Sequence, residues 1–394
     1  MSDLVSAIPP GTLLLQIGPF KTGTTALQHT AAVRRDALLE QGVLYPGDGL
    51  NHRWGCSALA GLSWGWSRAE RQSADTEHGD NLLGEIHSAA PSTRVWISYE
   101  RLATLDDAAA RSLCDQFGGP IHVLIGLRPL HSLLPSEWQQ LIKSGRHTGP
   151  LDQWALDCLD RTGRDESRTR HFDHAALVER WAAIVGPDSV TGIIIDPAHR
   201  DTLPRVTEQL LALPDGFLDP PEATQGFHTN RSLTAPELAL VSAVSQELRS
   251  SGTPQATYQR YIARGLVVSL LNRRPAPEEP RIRLGTEPLE QALAQDRRAT
   301  ARLRASGVRI VGDLDHYGPA QPPPSRPTPT IDPLQLAEVP VDIATAAVVG
   351  ILNQAADRPQ RSIIAHLRRA VRWRTRRIRY WFGRRRRDTE SQSY

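Results

Sequence analysis

The chain has 394 residues, 40% of them apolar and nine of them tryptophan, which is enough for one large domain with an appendage or for two domains. Its three cysteines (Cys56, Cys114 and Cys158) are far apart and odd in number, which argues against a disulfide framework or a zinc site and favours a reducing cytoplasm. The first residues lack a basic stretch followed by a long apolar run, and no run of about 20 apolar residues occurs, so we expect neither a secretory signal nor a membrane span.

Positive charge is distributed unevenly along the chain. The net charge is +3, yet residues 361–387 contain twelve arginines and no acidic residue, so an acidic body carries a basic tail. Only two of the 46 basic residues are lysines, Lys21 and Lys143. Because arginine serves elsewhere as the general positive charge, a retained lysine suggests a site that needs a compact ammonium group.

Strands and helices alternate in the first half of the sequence. The predicted strands are 12–17, 94–99, 121–127 and 190–195, and the predicted helices are 23–41, 106–117, 128–144 and 175–185. The strand at 121–127 is nearly all apolar, as expected of a central strand that is covered on both faces. This alternation predicts an α/β fold with a parallel, doubly wound sheet and right-handed crossovers.

Beyond about Pro214 the pattern is mostly helical, with predicted helices at 235–249, 255–272 and 288–304 that would cap the sheet or cover a substrate cleft. A proline-rich stretch at 318–339 predicts a semi-rigid linker. We therefore predict a catalytic domain over 1–317 and, after the linker, a helical segment with an amphipathic arginine-rich tail over 340–394.

The stretch GTLLLQIGPFKTGTTALQ joins the first strand to the first helix through a glycine-containing turn. Ligands of open parallel sheets bind beyond the carboxyl ends of the strands, and the free N–H groups and dipole of a helix N-terminus favour an anion. Gly23 permits close approach of the backbone to a phosphate, Thr22, Thr24 and Thr25 offer hydroxyl groups, and Lys21 supplies charge. The sequence therefore predicts a phosphate-binding turn.

Two classes of nucleotide-binding loop compete for this turn. The Walker A loop of kinases and ATPases places its lysine directly after the last glycine, whereas Lys21 lies two positions before Gly23. The segment PFKTGTTAL instead resembles the phosphosulfate-binding loop of sulfotransferases that use 3'-phosphoadenosine 5'-phosphosulfate (PAPS), on the carbohydrate and bacterial branches of that family. The resemblance implies that Lys21 binds the bridging oxygen and neutralises the leaving group, and that Thr22 to Thr25 hold the 5'-phosphate.

A second match concerns the 3'-phosphate of the nucleotide. In the family, an arginine at the end of a central strand and a serine eight residues later bind this phosphate. The segment IHVLIGLRPLHSLLPSEW places Arg128 and Ser136 in these positions, with Pro135 inside the predicted helix. Arginine offers a bidentate contact to phosphate and serine a short hydrogen bond. The resemblance covers about residues 11–315 and is strong only at these two motifs.

One family element is missing from the sequence. The segment RKGxxGDWK, with which the cytosolic branch closes over the nucleotide, is absent. The segment FHTNRSL at 227–233 is our proposed substitute, with Asn230, Arg231 and Ser232 as polar contacts to the nucleotide, although a simple entry turn into the next helix would have the same sequence.

Sulfuryl transfer also needs a base for the acceptor hydroxyl, and two residues compete for this role. Glu100 directly follows the strand RVWISY, as a glutamate does in similar glycan sulfotransferases, although it could pair with an arginine instead. His52 lies in the loop after the first helix and has a side chain that titrates near neutrality. Lys143 could line the acceptor channel or serve as a cation at a helix C-terminus.

The basic tail places Ile364, Leu367, Val371, Ile378 and Phe382 near one helical face, as in helices that bind anionic membrane surfaces. We expect no nucleic-acid partner, since no recognition fold accompanies the tail. A disordered, solubilising tail would have a similar composition.

These inferences together predict a cytoplasmic PAPS-dependent sulfotransferase that modifies a hydroxyl of a glycan, lipid or small molecule, with peripheral membrane binding as the option that the tail adds. We expect no metal to be needed, because Lys21, Arg128 and backbone amides supply the positive potential. A nucleotide-dependent kinase and a catalytically silent nucleotide-binding or membrane scaffold are the alternatives.

Overall fold

The computed structural model describes residues 5–64, 72–220, 231–319, 336 and 338–356. The strands in these ranges are β1 (Leu13–Ile17), β2 (Val43–Leu44), β3 (Ser63–Trp64), β4 (Gln72–Ser73), β5 (Arg94–Ser98), β6 (Ile121–Leu127), β7 (Val190–Ile194) and β8 (Arg309–Val311). The α-helices are α1 (Thr24–Val33), α2 (Arg35–Glu40), α3 (Arg53–Leu59), α4 (Thr76–His87), α5 (Asp107–Phe117), α6 (Leu130–Lys143), α7 (Leu151–Arg161), α8 (His174–Val185), α9 (Thr202–Leu211), α10 (Ala235–Ser250), α11 (Gln255–Tyr258), α12 (Val267–Asn272), α13 (Thr286–Ala305), α14 (Leu314–Tyr317) and α15 (Val341–Ala356). Short 3-10 helices cover Glu100–Thr104, Arg170–Phe172 and Pro187–Ser189, and a π-helix covers Gln259–Leu266.

The main sheet in the described residues has six parallel strands in the order β2-β5-β1-β6-β7-β8. Leu15 at the centre of β1 pairs with Ile97 of β5 on one side and with Val123 of β6 on the other. A separate two-stranded hairpin joins β3 to β4. The predicted parallel α/β sheet is confirmed, and β1 lies at its centre.

Both faces of the sheet are covered, because side chains alternate along each strand. Leu13, Leu15 and Ile17 of β1 lie in an apolar core beneath α3, α4, α5 and α8. Leu14, on the opposite face, packs with α1, α2 and α9. The prediction of a doubly wound arrangement is therefore confirmed.

Local sequence signals begin several of these helices. Asp75, Asp106 and Asp173 accept hydrogen bonds from backbone N–H groups at the starts of α4, α5 and α8, as expected of N-cap residues. Thr234 and Glu237 form a reciprocal capping box at the start of α10. Of these helices, α5, α8 and α10 were predicted to within one residue and α4 was not predicted. The helix predicted over 23–41 is interrupted at Arg34.

A helical layer contains α10 to α13 and α15 from the second half of the chain, packed with α6 and α7 from the first half, and it confirms the predicted helical half. Ile343 and Ala347 of α15 are buried in the layer. Gly350 of α15 and Gly265 of the π-helix approach so closely that a Cβ on Gly350 would lie 2.5 Å from the Gly265 carbonyl oxygen. The described helix of the predicted third segment thus packs on helices that precede the predicted linker, and the boundary predicted at 318–339 stays a prediction.

The arginine-rich tail after Ala356 and most of the predicted linker lie outside the described residues. Within the described ranges, no helix is both long and apolar enough to span a bilayer.

Candidate functional site

The candidate site lies at the carboxyl ends of β5, β1 and β6, which are neighbours in the sheet. Lys21 follows β1, Glu100 follows β5 and Arg128 follows β6. The crossover after β1 packs on one face of the sheet, and the crossover after β6 packs on the other. Ligands of open α/β sheets bind at such a topological switch point. The topology therefore brings the predicted phosphate-binding residues to one edge.

The turn between β1 and α1 is shaped by two residues with positive φ angles, Lys21 at 64° and Gly23 at 84°. Buried Thr22 fixes it from inside, because its hydroxyl donates to the Pro19 carbonyl at 2.9 Å. Thr22 in turn packs on Gly126 of β6, where a Cβ would lie 2.8 Å from the Thr22 Cβ. A Cβ on Gly23 would meet no atom within 4 Å, so the N-terminus of α1 opens into free space. Such a turn can receive an anion.

Lys21 is anchored at both its side chain and its backbone. Its Nζ donates to Oε1 of Gln140 on α6 at 2.9 Å, and its carbonyl accepts from Nη1 of Arg128 at 3.0 Å. Burial lowers the pKa of Lys21, repulsion by Arg128 lowers it further, and Glu137 and Glu100 oppose the shift. The ammonium group is thus held at the turn by a neutral amide.

Arg128 lies between the turn and the start of α6. Its Nε donates to Oγ of Ser132 at 3.1 Å, and burial lowers its pKa. Ser136, the predicted partner of the 3'-phosphate, is half-buried one turn further along α6, which runs unbroken through Pro135. Sequence reasoning named Ser136 and missed Ser132, although four-residue spacing places both serines on one helix face.

Lys143, at the last turn of α6, is the second lysine of the chain and belongs to the same neighbourhood. Burial, followed by repulsion from Lys21 and Arg231, lowers the pKa of Lys143 to about 7. The charge of Lys143 therefore lies near that of Lys21, and Arg128 contacts the Lys21 backbone, so these three residues form one cationic group.

Glu100 connects β5 to the first helix. Its Oε1 accepts hydrogen bonds from Oγ1 of Thr24 at 2.5 Å and from Nε2 of Gln28 at 3.0 Å. Nε2 of Gln28 also donates to Oγ of Ser98 at 2.9 Å. Glu100 thus lies at the predicted edge of the sheet, and one of its carboxylate oxygens holds α1 in position. Thr25, the residue after Thr24 on α1, is exposed.

His52 is buried, and main-chain groups hold both of its ring nitrogens. Nδ1 accepts from the backbone N–H of Ser98 at 2.9 Å, and Nε2 donates to the Pro46 carbonyl at 3.1 Å. Burial lowers the pKa of His52 to about 3. The imidazole is therefore neutral, and its lone pair is already used.

Arg231 is also fully engaged within the protein. It forms a bidentate ion pair with Glu237 at 2.6 and 2.8 Å, and it donates to the carbonyls of Ser232, Leu270 and Leu271. These bonds use all five N–H groups of a guanidinium. Asn230, the other predicted nucleotide contact of this segment, lies outside the described residues.

A buried acid and imidazole next to the turn were not predicted from the sequence. Oε1 of Glu137 on α6 accepts from Nε2 of His171 at 3.1 Å, with the two side chains 12% and 4% exposed. Phe20 of the turn packs edge-on against the His171 ring, with ring centroids 5.6 Å apart. Glu137 follows Ser136 directly, but His171 comes from a distant 3-10 helix, so no local pattern joins the two.

No known family model matches this chain, and neither does any curated protein. Among solved structures, the chain is similar to a crystal structure of a sulfotransferase from Alicyclobacillus acidocaldarius. The sequence identity is 15%, the match covers 62% of this chain and 96% of the other, and the TM-score is 0.37.

Proposed function

We propose that this chain transfers the sulfuryl group of PAPS to a hydroxyl of an acceptor. The observation that carries the proposal is the position of Lys21 and Arg128 beside the N-terminus of α1, with the charge of Lys143 near that of Lys21. Burial lowers the pKa of each of these three groups, so their surroundings disfavour the charged forms. A bound polyanion would relieve that cost.

The turn suits a 5'-phosphosulfate. Gly23 leaves open space before the free N–H groups of α1, and Lys21 lies at the edge of that space. The resemblance of PFKTGTTAL to a phosphosulfate-binding loop selects PAPS over ATP, since a Walker lysine would follow the glycine. Buried Thr22 fixes the turn through its hydrogen bond to Pro19, and the backbone N–H groups from Gly23 to Thr25 would hold the phosphate.

Arg128 suits the 3'-phosphate that distinguishes PAPS from other adenine nucleotides. Ser132 and the Lys21 carbonyl fix the guanidinium through Nε and Nη1, which leaves further N–H groups for a ligand. Ser136 lies on the same helix face as Ser132. Arginine gives a planar, bidentate contact to phosphate, which a lysine at this position would not supply.

The reaction would break the bond between sulfur and the bridging oxygen while a bond forms between sulfur and the acceptor oxygen. The electron pair of the broken bond stays on the 5'-phosphate of the leaving adenosine 3',5'-bisphosphate. Lys21 stabilises that developing charge, and Lys143 adds positive potential beside it. The acceptor hydroxyl gives up its proton to a base.

The other predicted residues support the site. Glu100 fixes α1 against β5 through Thr24 and Gln28, His52 fixes the loop before α3, and Arg231 fixes the start of α10. For His52 and Arg231, contact with substrate would require that existing hydrogen bonds break. We therefore propose that they position the backbone.

Thermal-shift measurements test the proposal. Adenosine 3',5'-bisphosphate should raise the melting temperature of the full chain, and AMP, which lacks the 3'-phosphate, should raise it less. Arg128→Lys should reduce the difference between these two ligands, whereas Arg200→Lys, at an exposed position away from the site, should not. Stabilisation by ATP with Mg²⁺ and not by the bisphosphate would favour a kinase and contradict the proposal.

A further inference from the structure

We infer that Glu137, held by His171, is the base that accepts the proton of the acceptor hydroxyl. This inference rests on the proposed sulfuryl transfer and names a catalytic residue for it. The bond between Oε1 of Glu137 and Nε2 of His171, at 3.1 Å, fixes the carboxylate beside the Lys21 turn.

Three residues of α6 place Glu137 next to Lys21. Glu137, Gln140 and Lys143 follow one another at three-residue intervals, so they lie along one face of the helix. Gln140 in the middle accepts from Nζ of Lys21 at 2.9 Å. Of the carboxylates that interact with the charge of Lys21, Glu137 has the largest effect. A base on this face would therefore lie beside the cation that faces the leaving group.

Two polar atoms of the pair have no partner. Oε2 of Glu137 and Nδ1 of His171 are buried, and neither has a hydrogen-bond partner among the described residues. An unpaired buried polar atom destabilises the folded protein, so such atoms call for an explanation. A hydroxyl group that donates to Oε2 would satisfy the carboxylate when the acceptor binds.

The competing carboxylate is less suited to this task. Oε1 of Glu100 already accepts from Thr24 and Gln28, which position α1. Protonation of Glu100 would weaken bonds that hold the phosphate-binding helix, whereas protonation of Glu137 would weaken only its bond with His171. His171 is a positioning residue, because its Nε2–H orients the Glu137 carboxylate. In a catalytic triad a carboxylate orients the imidazole that acts as the base, whereas here the imidazole orients the carboxylate.

As the acceptor oxygen forms its bond to sulfur, its proton moves to Oε2 of Glu137, and the bond between sulfur and the bridging oxygen breaks with its electrons going to the phosphate. Lys21 stabilises that phosphate. After the product leaves, solvent that enters its place takes the proton from Oε2 of Glu137.

Acceptor acidity provides the test. Transfer of labelled sulfate from PAPS would be measured for the full chain with phenol, with the more acidic 4-nitrophenol and with water as acceptors. Glu137→Gln should slow transfer to phenol and water on the order of 10²–10⁴-fold. It should slow transfer to 4-nitrophenol much less, because that hydroxyl needs little help in losing its proton. An equal loss with all three acceptors, or a larger acidity-dependent loss in Glu100→Gln, would overturn the inference.

The His171 variants separate positioning from simple structural support. His171→Gln keeps a donor for Oε1 of Glu137 and should retain most of the activity, whereas His171→Leu should lose activity with the same dependence on acceptor acidity as Glu137→Gln. Equal activity of the two His171 variants would contradict the assigned hydrogen bond.

A second readout needs no turnover. Since the chain has only two lysines, labelling with [¹³Cε]lysine gives two NMR signals, which Lys143→Arg assigns. Glu137→Gln should lower the pKa of Lys21 more than Glu100→Gln does, and the reverse order would overturn the inference. Wild-type protein that fails to bind adenosine 3',5'-bisphosphate would refute the proposed function itself, whereas binding by every variant with unchanged transfer in Glu137→Gln would refute only the base.

Discussion

Lys143 should titrate near neutrality and become fully charged when the nucleotide binds. Burial and repulsion from Lys21 and Arg231 lower the pKa of Lys143 from 10.5 to about 7. At pH 7 about half of the protein molecules therefore carry a proton on this side chain in the absence of ligand. Adding adenosine 3',5'-bisphosphate would bring negative charge to the cationic group and so favour the protonated form of Lys143.

The size of the effect follows from Coulomb's law. A negative charge about 5 Å from Nζ, at an effective dielectric constant of about 20, stabilises the ammonium by about 3 kcal/mol, which is about two pKa units. The bisphosphate should therefore raise the pKa of Lys143 above about 9. At pH 7 binding should then take up about half a proton at this residue.

Two assays measure this change. The ¹³Cε signal of Lys143 gives its pKa with and without the bisphosphate, and calorimetry in buffers of different ionisation enthalpy gives the number of protons taken up. Lys143→Arg removes the titrating group while keeping the charge, and its proton uptake should be correspondingly smaller. A pKa of Lys143 near 10.5 in the free protein, or one that the bisphosphate leaves unchanged, would refute the reasoning.

Three further predictions concern the frame around the site. Gly126→Ala should displace Thr22, weaken bisphosphate binding measured by calorimetry, and lower the unfolding free energy by about 1–3 kcal/mol. In the control Gly192→Ala, the new Cβ meets only the movable ends of side chains, so bisphosphate binding should be unchanged. Because burial lowers the pKa of His52 from 6.5 to about 3, only the unfolded chain gains this proton as the pH falls from about 6.5 towards 3. The unfolding free energy measured by denaturant titration should therefore fall over that range, and NMR detection of a charged His52 ring at pH 5 would contradict this. Gly350→Val should destabilise the protein by about 1–3 kcal/mol in urea, since a Cβ there meets the backbone of the π-helix; an unchanged midpoint would show that α15 does not pack as described.

Much of the fold was predictable because its signals are local. The strand at Ile121–Leu127 is a continuous apolar run, and its bounds agree with the prediction. The short strands β2 and β8 were missed, since two or three residues at the rim of a sheet carry no periodicity of their own. The interruption of the first helix at Arg34 also has no local cue of glycine or proline.

The phosphate-binding end of the site was predictable for a similar reason. Lys21 lies in the turn after the buried strand β1, Arg128 directly follows the buried strand β6, and parallel strands bring their carboxyl ends to one edge. The partners of these residues were not predictable, because they depend on packing. His52 has an ordinary loop context in the sequence, yet the fold buries it and occupies both nitrogens.

The Glu137–His171 pair shows what sequence reasoning could not find. The two residues are 34 positions apart, and they meet because a short 3-10 helix packs beside α6. The rarity of lysine did point to Lys143, but only the three-dimensional structure shows that its charge lies near that of Lys21.

Release of adenosine 3',5'-bisphosphate from labelled PAPS tests the central claim most directly. The wild-type chain should convert PAPS to the bisphosphate and transfer the label to an acceptor or to water. Lys21→Ala should bind the bisphosphate more weakly and lose transfer, whereas Lys143→Arg should retain most of the transfer activity. Binding of PAPS without any release of the bisphosphate, or equal release by wild type and Lys21→Ala, would contradict sulfuryl transfer at this site.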